Sequence, residues 1–99
     1  KYDLLLSPSL AVPAFDIGDE PDVIGGKQVP HRLWGFTPFT YLFNLTGNPG
    51  ASAPAGFSSD GLPIGLQIVG DMKDEVSVLA ASAALEEARP WADKRPPVS

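Results

Sequence analysis

The fold of this chain is decided by residues 39–70, which read FTYLFNLTGNPGASAPAGFSSDGLPIGLQIVG. Two apolar runs in this stretch, residues 51–57 and 63–69, flank a short polar segment. That segment contains Asp60-Gly61, a pair suited to the positive backbone angles of a hairpin turn. The stretch is therefore predicted to end in an antiparallel β-hairpin.

Two helices are predicted around this hairpin. Thr37 offers a hydroxyl N-cap, Pro38 suits the first helical position, and Gly47 is a stop, so a helix of about two turns precedes the hairpin. Asp74 is a suitable N-cap for a second helix, which Pro90 ends. The hairpin is thus predicted to lie between two helices in the chain.

The second helix, residues 75–89, has one polar and one apolar side. At about 100° per residue, its apolar side consists of small or aliphatic residues: Val76, Leu79, Ala80, Ala83 and Ala84. Small side chains let a helix approach a sheet closely. We therefore expect this side to pack on the hairpin.

The remaining segments are predicted to contain little regular structure. Residues 4–6 are an apolar run closed by Pro8, which is typical of an interior strand buried on both faces. Residues 8–32 are predicted to be a long irregular segment, and residues 92–99 a polar, proline-rich tail. These elements predict one α/β domain over residues 1–99.

The composition excludes several classes of function. The chain has 7 basic and 12 acidic residues and a formal net charge of −5, so its field repels phosphate backbones and anionic membranes. It has no cysteine, which excludes disulfides and thiolate chemistry. No run approaches the ~18 apolar residues of a membrane span. We expect a soluble protein, assigned to the cytoplasm, with no nucleic-acid or membrane partner.

The sequence contains no recognisable catalytic or metal-binding pattern. Its single histidine, His31, is interpreted as a solvated loop residue, because no serine lies in a Gly-x-Ser-x-Gly elbow that could pair with it. A metal would have to rely on carboxylates, and the acidic cluster in residues 16–22 lacks the spacing of a calcium loop. We expect no catalytic residue, no metal site and no cofactor in this chain.

The stretch quoted above resembles the C-terminal hallmark of the amidase-signature family. Residues 39–57 are similar to that family's NltG-Pa-svPaGf pattern, and residues 60–70 to its DGLPvGlQlvG pattern. A Pro-Trp at residues 90–91 and an Arg-Pro-Pro at residues 95–97 follow in the family's order. Residues 2–8 resemble the strand that enters this region, so the resemblance spans nearly the whole chain.

The resemblance implies a fragment of a mixed-sheet α/β/α sandwich and hydrolysis of a carboxamide through an acyl-enzyme. The family's nucleophilic serine, its cis-peptide serine and its lysine lie in a glycine- and serine-rich segment N-terminal to the matched region. No such segment occurs in this chain, so no catalytic role carries over to any of its residues. The implied partners are the N-terminal catalytic part of a parent amidase and a small-molecule amide substrate.

Four residues are candidates for a wall of the substrate pocket. Pro8 and Ser9 end a strand, and ligands of α/β sheets favour the carboxyl ends of strands. Trp34 and Thr37 are candidates for the same wall. The alternative that all four only pack is left open. The family's amidotransferase members carry an acidic residue where Thr37 stands, which disfavours an amidotransferase role.

Two functions are compatible with these features. The first is a non-catalytic C-terminal portion of an amidase that completes the sheet and the pocket. The second is a free-standing structural or interaction module that has lost the catalytic segment. A chain that begins with Lys1, inside a strand-like segment, favours the first. The apolar edge of residues 2–6 further predicts that the isolated chain self-associates, either through that edge or by exchanging a segment with a second copy.

Overall fold

The computed structural model describes residues 1–98 and has the expected α/β class. Its strands are β1 (Leu4–Pro8), β2 (Val23–Ile24), β3 (Lys27–Gln28), β4 (Gly50–Phe57) and β5 (Pro63–Gly70). Its helices are α1 (Arg32–Gly35), α2 (Tyr41–Thr46) and α3 (Glu75–Ala88). The sequence predicted α2, α3 and the hairpin, whereas α1 is an additional short helix.

β5 is the central strand of a three-stranded sheet in the order β1-β5-β4. It pairs antiparallel with β1, where Leu4 lies opposite Gly70, and with β4, where Ala51 lies opposite Ile68. The β4–β5 hairpin confirms the prediction for this stretch. Its turn uses one positive φ, 84° at Gly61, rather than the two that the sequence suggested.

The core lies on the C-terminal half of β5, both faces of which are covered. Ile68, Val69 and Gln67 are all buried, and successive strand residues point to opposite faces. Gly70, on the same face as Ile68, lies against Val78 of α3. On the opposite face, Gln67 Nε2 donates a hydrogen bond of 2.8 Å to the carbonyl of Phe39, just before α2. The sheet therefore lies between α3 and the segment that leads into α2.

The side of α3 that packs on the sheet differs from the predicted one. Val78 is 4% exposed, whereas Leu79 is 68% exposed and Val76 is also exposed. The prediction that Val76 and Leu79 face the hairpin, together with Ala80, Ala83 and Ala84, is therefore wrong. The side chains that are buried or half-buried are Ser77, Val78, Ala81, Ser82 and Leu85.

The reason lies in the close contact between the helix and β5. A Cβ on Gly70 would lie 2.8 Å from Val78 Cγ2, so the absence of a side chain at Gly70 makes room for Val78. The hydroxyl of Ser82 donates to the carbonyl of Val78 at 2.8 Å, which satisfies that hydroxyl within the interface. Serine can thus occupy the side of the helix that faces the sheet.

The start of α3 follows the local sequence signals. Asp74 is the N-cap, and its carboxylate accepts a hydrogen bond of 3.2 Å from the N–H of Ser77. Hydrogen bonds from Ser77 hold the pKa of Asp74 below the ordinary value of an aspartate. The bond from the Ser77 side chain has the larger effect, and the bond from the Ser77 backbone N–H has the smaller one. The helix ends at Ala88, before Pro90, as predicted.

The start of α2 is later than predicted, although its end is as expected. The Thr37 hydroxyl donates to the Trp34 carbonyl at 3.3 Å instead of capping a helix, and the chain turns through residues 38–40. Thr40 is the N-cap, without a side-chain hydrogen bond. Gly47 ends the helix with a left-handed φ of 79°.

Two features of the N-terminal half were not visible in the sequence pattern. The segment predicted to be irregular contains the small β2–β3 hairpin, whose turn has φ values of 58° at Gly25 and 76° at Gly26. β1 lies at the edge of the described sheet, and its Leu5 and Leu6 are 54% and 59% exposed. Residues 1–98 therefore do not cover this apolar strand on both faces.

Among residues 1–98, no helix is both long enough and apolar enough to cross a membrane.

Candidate functional site

An apolar cleft of about 520 Å³ opens between α1 and the turn that precedes α2. The aromatic rings of Trp34 and Tyr41 meet edge to face in it, with centroids 6.4 Å apart and an interplanar angle of 81°. Of the residues that the structure describes, no lysine, arginine, aspartate or glutamate lines the cleft. The lining residues are Val29, Pro30, His31, Trp34, Gly35, Pro38 and Tyr41.

Backbone contacts hold the walls of this cleft together. Gly35 lets α1 lie directly on Val29, because a Cβ at Gly35 would be 2.7 Å from the Val29 Cβ. The N–H of Val29 donates to the Asp22 carbonyl at 2.8 Å. The Nε of Arg32 donates to the Glu20 carbonyl at 3.1 Å. The chain just before β2 thereby holds both α1 and Val29 in place.

His31 has a more specific place than the solvated loop position predicted for it. It is the N-cap of α1, and its Nδ1 accepts a hydrogen bond of 3.2 Å from the N–H of Leu33. The side chain is exposed and lines the cleft. Because Nδ1 is an acceptor, the neutral ring carries its proton on Nε2.

A pair of serines lies on the sheet, just after the C-terminal end of β1. The hydroxyl oxygens of Ser9 and Ser52 are 2.6 Å apart, and Ser9 is buried. They meet over Gly65, where a Cβ would lie 2.7 Å from both hydroxyl oxygens. In the described residues, each hydroxyl bonds to the other and not to a histidine or lysine. The pair is therefore not an arrangement of nucleophile and base.

Gln67 connects the sheet to the cleft and was missed as a site residue by sequence reasoning. Its Nε2 donates to Ser7 Oγ at 2.9 Å and to the Phe39 carbonyl at 2.8 Å. Phe39 lies between Pro38 and Tyr41, both of which line the cleft. The available signal was a lone amide side chain inside an otherwise apolar strand, since a buried amide requires hydrogen-bond partners.

The structure brings together two of the four residues predicted to line a substrate pocket. Trp34 lines the apolar cleft, and Thr37 lies beside it through its hydrogen bond to the Trp34 carbonyl. Pro8 is exposed at the end of β1, and Ser9 belongs to the serine pair. A role of these four residues in substrate binding stays a prediction. Within residues 1–98, no group of three histidine, cysteine, aspartate or glutamate side chains is placed to hold a metal ion.

Comparisons with known proteins define the class of this fold. A family model described as Amidase matches residues 1–79. The chain therefore belongs to the amidase family, the amidase-signature hydrolases. It is 41% identical over 96 residues to an acylamidase of Rhodococcus erythropolis, an alignment that covers 96% of this chain and 20% of that protein. It is 42% identical over 98 residues to a glutamyl-tRNA(Gln) amidotransferase polypeptide from a Synechococcus strain, covering 99% and 18% respectively.

Solved structures show the same fold. A bacterial aryl acylamidase of the amidase-signature family superposes with a TM-score of 0.83 at 42% identity, covering 97% of this chain and 21% of that structure. The 6-aminohexanoate cyclic dimer hydrolase superposes with a TM-score of 0.81 at 38% identity, with the same coverage. The chain thus spans about a fifth of the length of the relatives it matches.

Proposed function

We propose that residues 1–99 are the non-catalytic C-terminal portion of an amidase that hydrolyses carboxamide bonds. In this role the chain completes the sheet of the larger protein and supplies one wall of its substrate pocket. The relatives are hydrolases and amidotransferases about five times as long as this chain, which supports a part of a larger enzyme. The unactivated serine pair supports a role outside the chemical step.

The observation that carries this proposal is the exposed apolar surface of β1 and α3. Leu5 and Leu6 lie on the edge strand, and Val76 and Leu79 lie on the outer side of α3; all four are exposed. Val76 and Leu79 lie three residues apart on one side of α3, and exposed apolar side chains that adjoin each other are typical of contact surfaces. The N-terminal catalytic part of an amidase is the partner that would cover them.

In the proposed enzyme, the described residues have two kinds of role. Trp34 and Thr37 contribute the pocket wall on the α1 side, and Pro8 and Ser9 contribute at the end of β1. Gln67 and the serine pair hold these walls to the sheet. The nucleophile that attacks the small-molecule amide would come from the N-terminal catalytic part of the amidase.

A chimera tests the proposal. The segment of the Rhodococcus erythropolis acylamidase that aligns with this chain is replaced by residues 1–99, and hydrolysis of a simple carboxamide is measured. We expect the chimera to turn over substrate, and residues 1–99 alone to show none above buffer, because residues 1–98 bring no nucleophile together with a base. The acylamidase lacking the segment is the matched control and is expected to be inactive.

Two results would contradict the proposal. One is turnover by purified residues 1–99 that a substitution within the chain abolishes. The other is a chimera that folds and stays inactive, which would favour the alternative, a free-standing structural or interaction module.

We also propose that the isolated chain self-associates through β1. In the sheet order β1-β5-β4, β1 is an edge strand of the described residues, and exposed strand edges pair readily with other chains. Sedimentation equilibrium at micromolar concentrations is expected to show a mass that rises with concentration, and Leu5→Lys is expected to lower it. Leu45→Lys, at an exposed position on α2, is the matched control and should leave the mass unchanged. A concentration-independent monomer would rule this association out.

A further inference from the structure

We infer that Asp60-Gly61, in the turn between β4 and β5, is a site of spontaneous aspartate isomerisation, and that the Ser58 hydroxyl restrains this modification in the folded chain. It is the one position in the sequence where an aspartate or asparagine precedes a glycine. The reaction involves only the turn itself and water, so the inference does not depend on the proposed function.

The reaction proceeds through a cyclic imide. The backbone nitrogen of Gly61 attacks the side-chain carboxyl carbon of Asp60, and a C–N bond forms. One carboxyl oxygen leaves as water, with the proton of that nitrogen and a second proton from solvent. Water then adds to one of the two imide carbonyl carbons and reopens the ring. Opening at the side-chain carbonyl restores aspartate, and opening at the main-chain carbonyl gives isoaspartate, so no oxidant or reductant is consumed.

Two features of the turn favour this reaction. Gly61 has no side chain to hinder the approach of its nitrogen to the Asp60 carboxyl carbon. Asp60 and Gly61 are both exposed, and no atom of residues 1–98 beyond the two chain neighbours lies within 4 Å of the position that a Cβ on Gly61 would occupy. Water therefore reaches the imide from the open side of the turn.

The Ser58 hydroxyl opposes the reaction by holding the Asp60 side chain. The Leu62 N–H donates to Ser58 Oγ at 3.0 Å and the Ser58 N–H donates to the Leu62 carbonyl at 2.8 Å, so the serine has a fixed position. Ser58 Oγ donates to Oδ1 of Asp60. The hydroxyl has a single proton, and a carboxylate is a stronger acceptor for it than the Leu62 carbonyl, which lies 3.3 Å from Oγ.

Attack requires two changes, and Ser58 restrains both of them. The carboxyl group has to rotate until its carbon faces the Gly61 nitrogen, and a carboxylate that is bonded to the Ser58 hydroxyl is not free to rotate. The Gly61 nitrogen has to release its proton, and its N–H donates to the Ser58 carbonyl at 3.0 Å. The first restraint comes from a side chain and the second from the backbone, so truncation of Ser58 to alanine removes the first.

Isomerisation would change the end of the hairpin. Isoaspartate adds one carbon to the main chain between Ser58 and Leu62, which are joined by hydrogen bonds across the turn. Phe57 and Pro63, the paired residues of β4 and β5 next to the turn, lie directly outside it. A longer turn cannot keep those bonds in their present register. The Ser58 hydroxyl thereby protects the β4–β5 hairpin as the chain ages.

Incubation of purified residues 1–99 in neutral buffer tests the inference. The tryptic peptide of residues 33–73 contains Asp60; chromatography separates its isoaspartyl form, and fragmentation distinguishes isoaspartate at residue 60 from isoaspartate at Asp71. We expect isoaspartate to accumulate at residue 60. The rate should be about tenfold higher in Ser58→Ala, because a hydrogen bond to a charged group contributes about that factor.

Ser59→Ala is the matched control for this substitution. Ser59 is exposed in the same turn, whereas the side-chain hydrogen bonds of the turn within residues 1–98 all involve Ser58. The rate in Ser59→Ala should stay within about twofold of the rate in the unmodified chain. Equal rates in Ser58→Ala and Ser59→Ala, or no isoaspartate at residue 60 in either variant, would overturn the inference.

Denaturant separates the effect of the turn from that of the local sequence. Without the turn, the unmodified chain and both variants should isomerise at one shared rate, faster than the unmodified chain in buffer. Ser58→Thr keeps the hydroxyl and should match the unmodified chain in buffer, which tests the inference even if Ser58→Ala does not fold. A Ser58→Thr rate equal to the rate in denaturant, or an unmodified chain that isomerises equally fast with and without denaturant, would also overturn the inference.

Discussion

Ile68→Ala is expected to lower the free energy of unfolding by about 2–5 kcal/mol. Ile68 is 2% exposed, the lowest value among the described core residues, and it lies on the central strand under α3. Truncation to alanine removes buried methyl and methylene groups and leaves a cavity that β4 and α3 cannot fill without losing their own contacts. Denaturant unfolding at one fixed protein concentration measures the change, because self-association would otherwise shift the apparent stability.

Leu79→Ala is the matched control for this substitution. It removes a side chain of the same size from α3, but Leu79 is 68% exposed, so we expect a change within about 0.5 kcal/mol. The comparison also tests which side of α3 packs on the sheet. Comparable losses for the two variants would show that Leu79 is buried in solution and that the orientation of α3 described above is wrong.

Gly70→Ala is expected to lower the free energy of unfolding by about 1–3 kcal/mol through overpacking. The new Cβ would lie 2.8 Å from Val78 Cγ2 and 3.1 Å from the carbonyl oxygen of Asp74. The second contact is with the backbone at the N-cap of α3, which cannot move without disturbing the start of the helix. Thermal or denaturant unfolding of the purified variant measures the effect.

Two further variants identify the cause of that loss. Gly56→Ala adds the same methyl group to β4 at a position where no atom of residues 1–98 lies within 4 Å of the new Cβ, so it should have little effect. In the double variant Gly70→Ala/Val78→Ala, removal of the Val78 methyl groups relieves the first clash, so the combined loss should be smaller than the sum of the single losses. Strictly additive losses would show that Gly70 and Val78 are not in contact.

Local sequence signals were sufficient where the structure depends on neighbouring residues. The Asp60-Gly61 turn between two apolar runs predicts the β4–β5 hairpin, which the structure contains. Asp74 and Pro90 bound α3 closely, and Gly47 ends α2. Capping and turn formation involve backbone groups only a few residues apart, so the residue types at those positions suffice to predict them.

The side of α3 that packs on the sheet could not be predicted in the same way. Alanines occur on both sides of the helix and its two serines lie on the side that packs, so its hydrophobic pattern favours neither side strongly. The choice is made by a contact across the interface, where Gly70 has no side chain and Val78 fills the space. That contact depends on how α3 approaches the sheet, which local periodicity does not specify.

The sequence by itself determined the α/β class, the hairpin, the ends of the helices and, through its ordered motifs, membership of the amidase-signature family. Only the tertiary structure decided the start of α2, the position of Gln67 between Ser7 and Phe39, and the separation of Ser9 from the cleft at Trp34. Each of these depends on hydrogen bonds or packing between residues that are distant along the chain, such as the pair formed by Ser9 and Ser52. Contacts of this kind form only when β1, β4 and β5 are brought into register, because the register then determines which side chains meet on each face of the sheet.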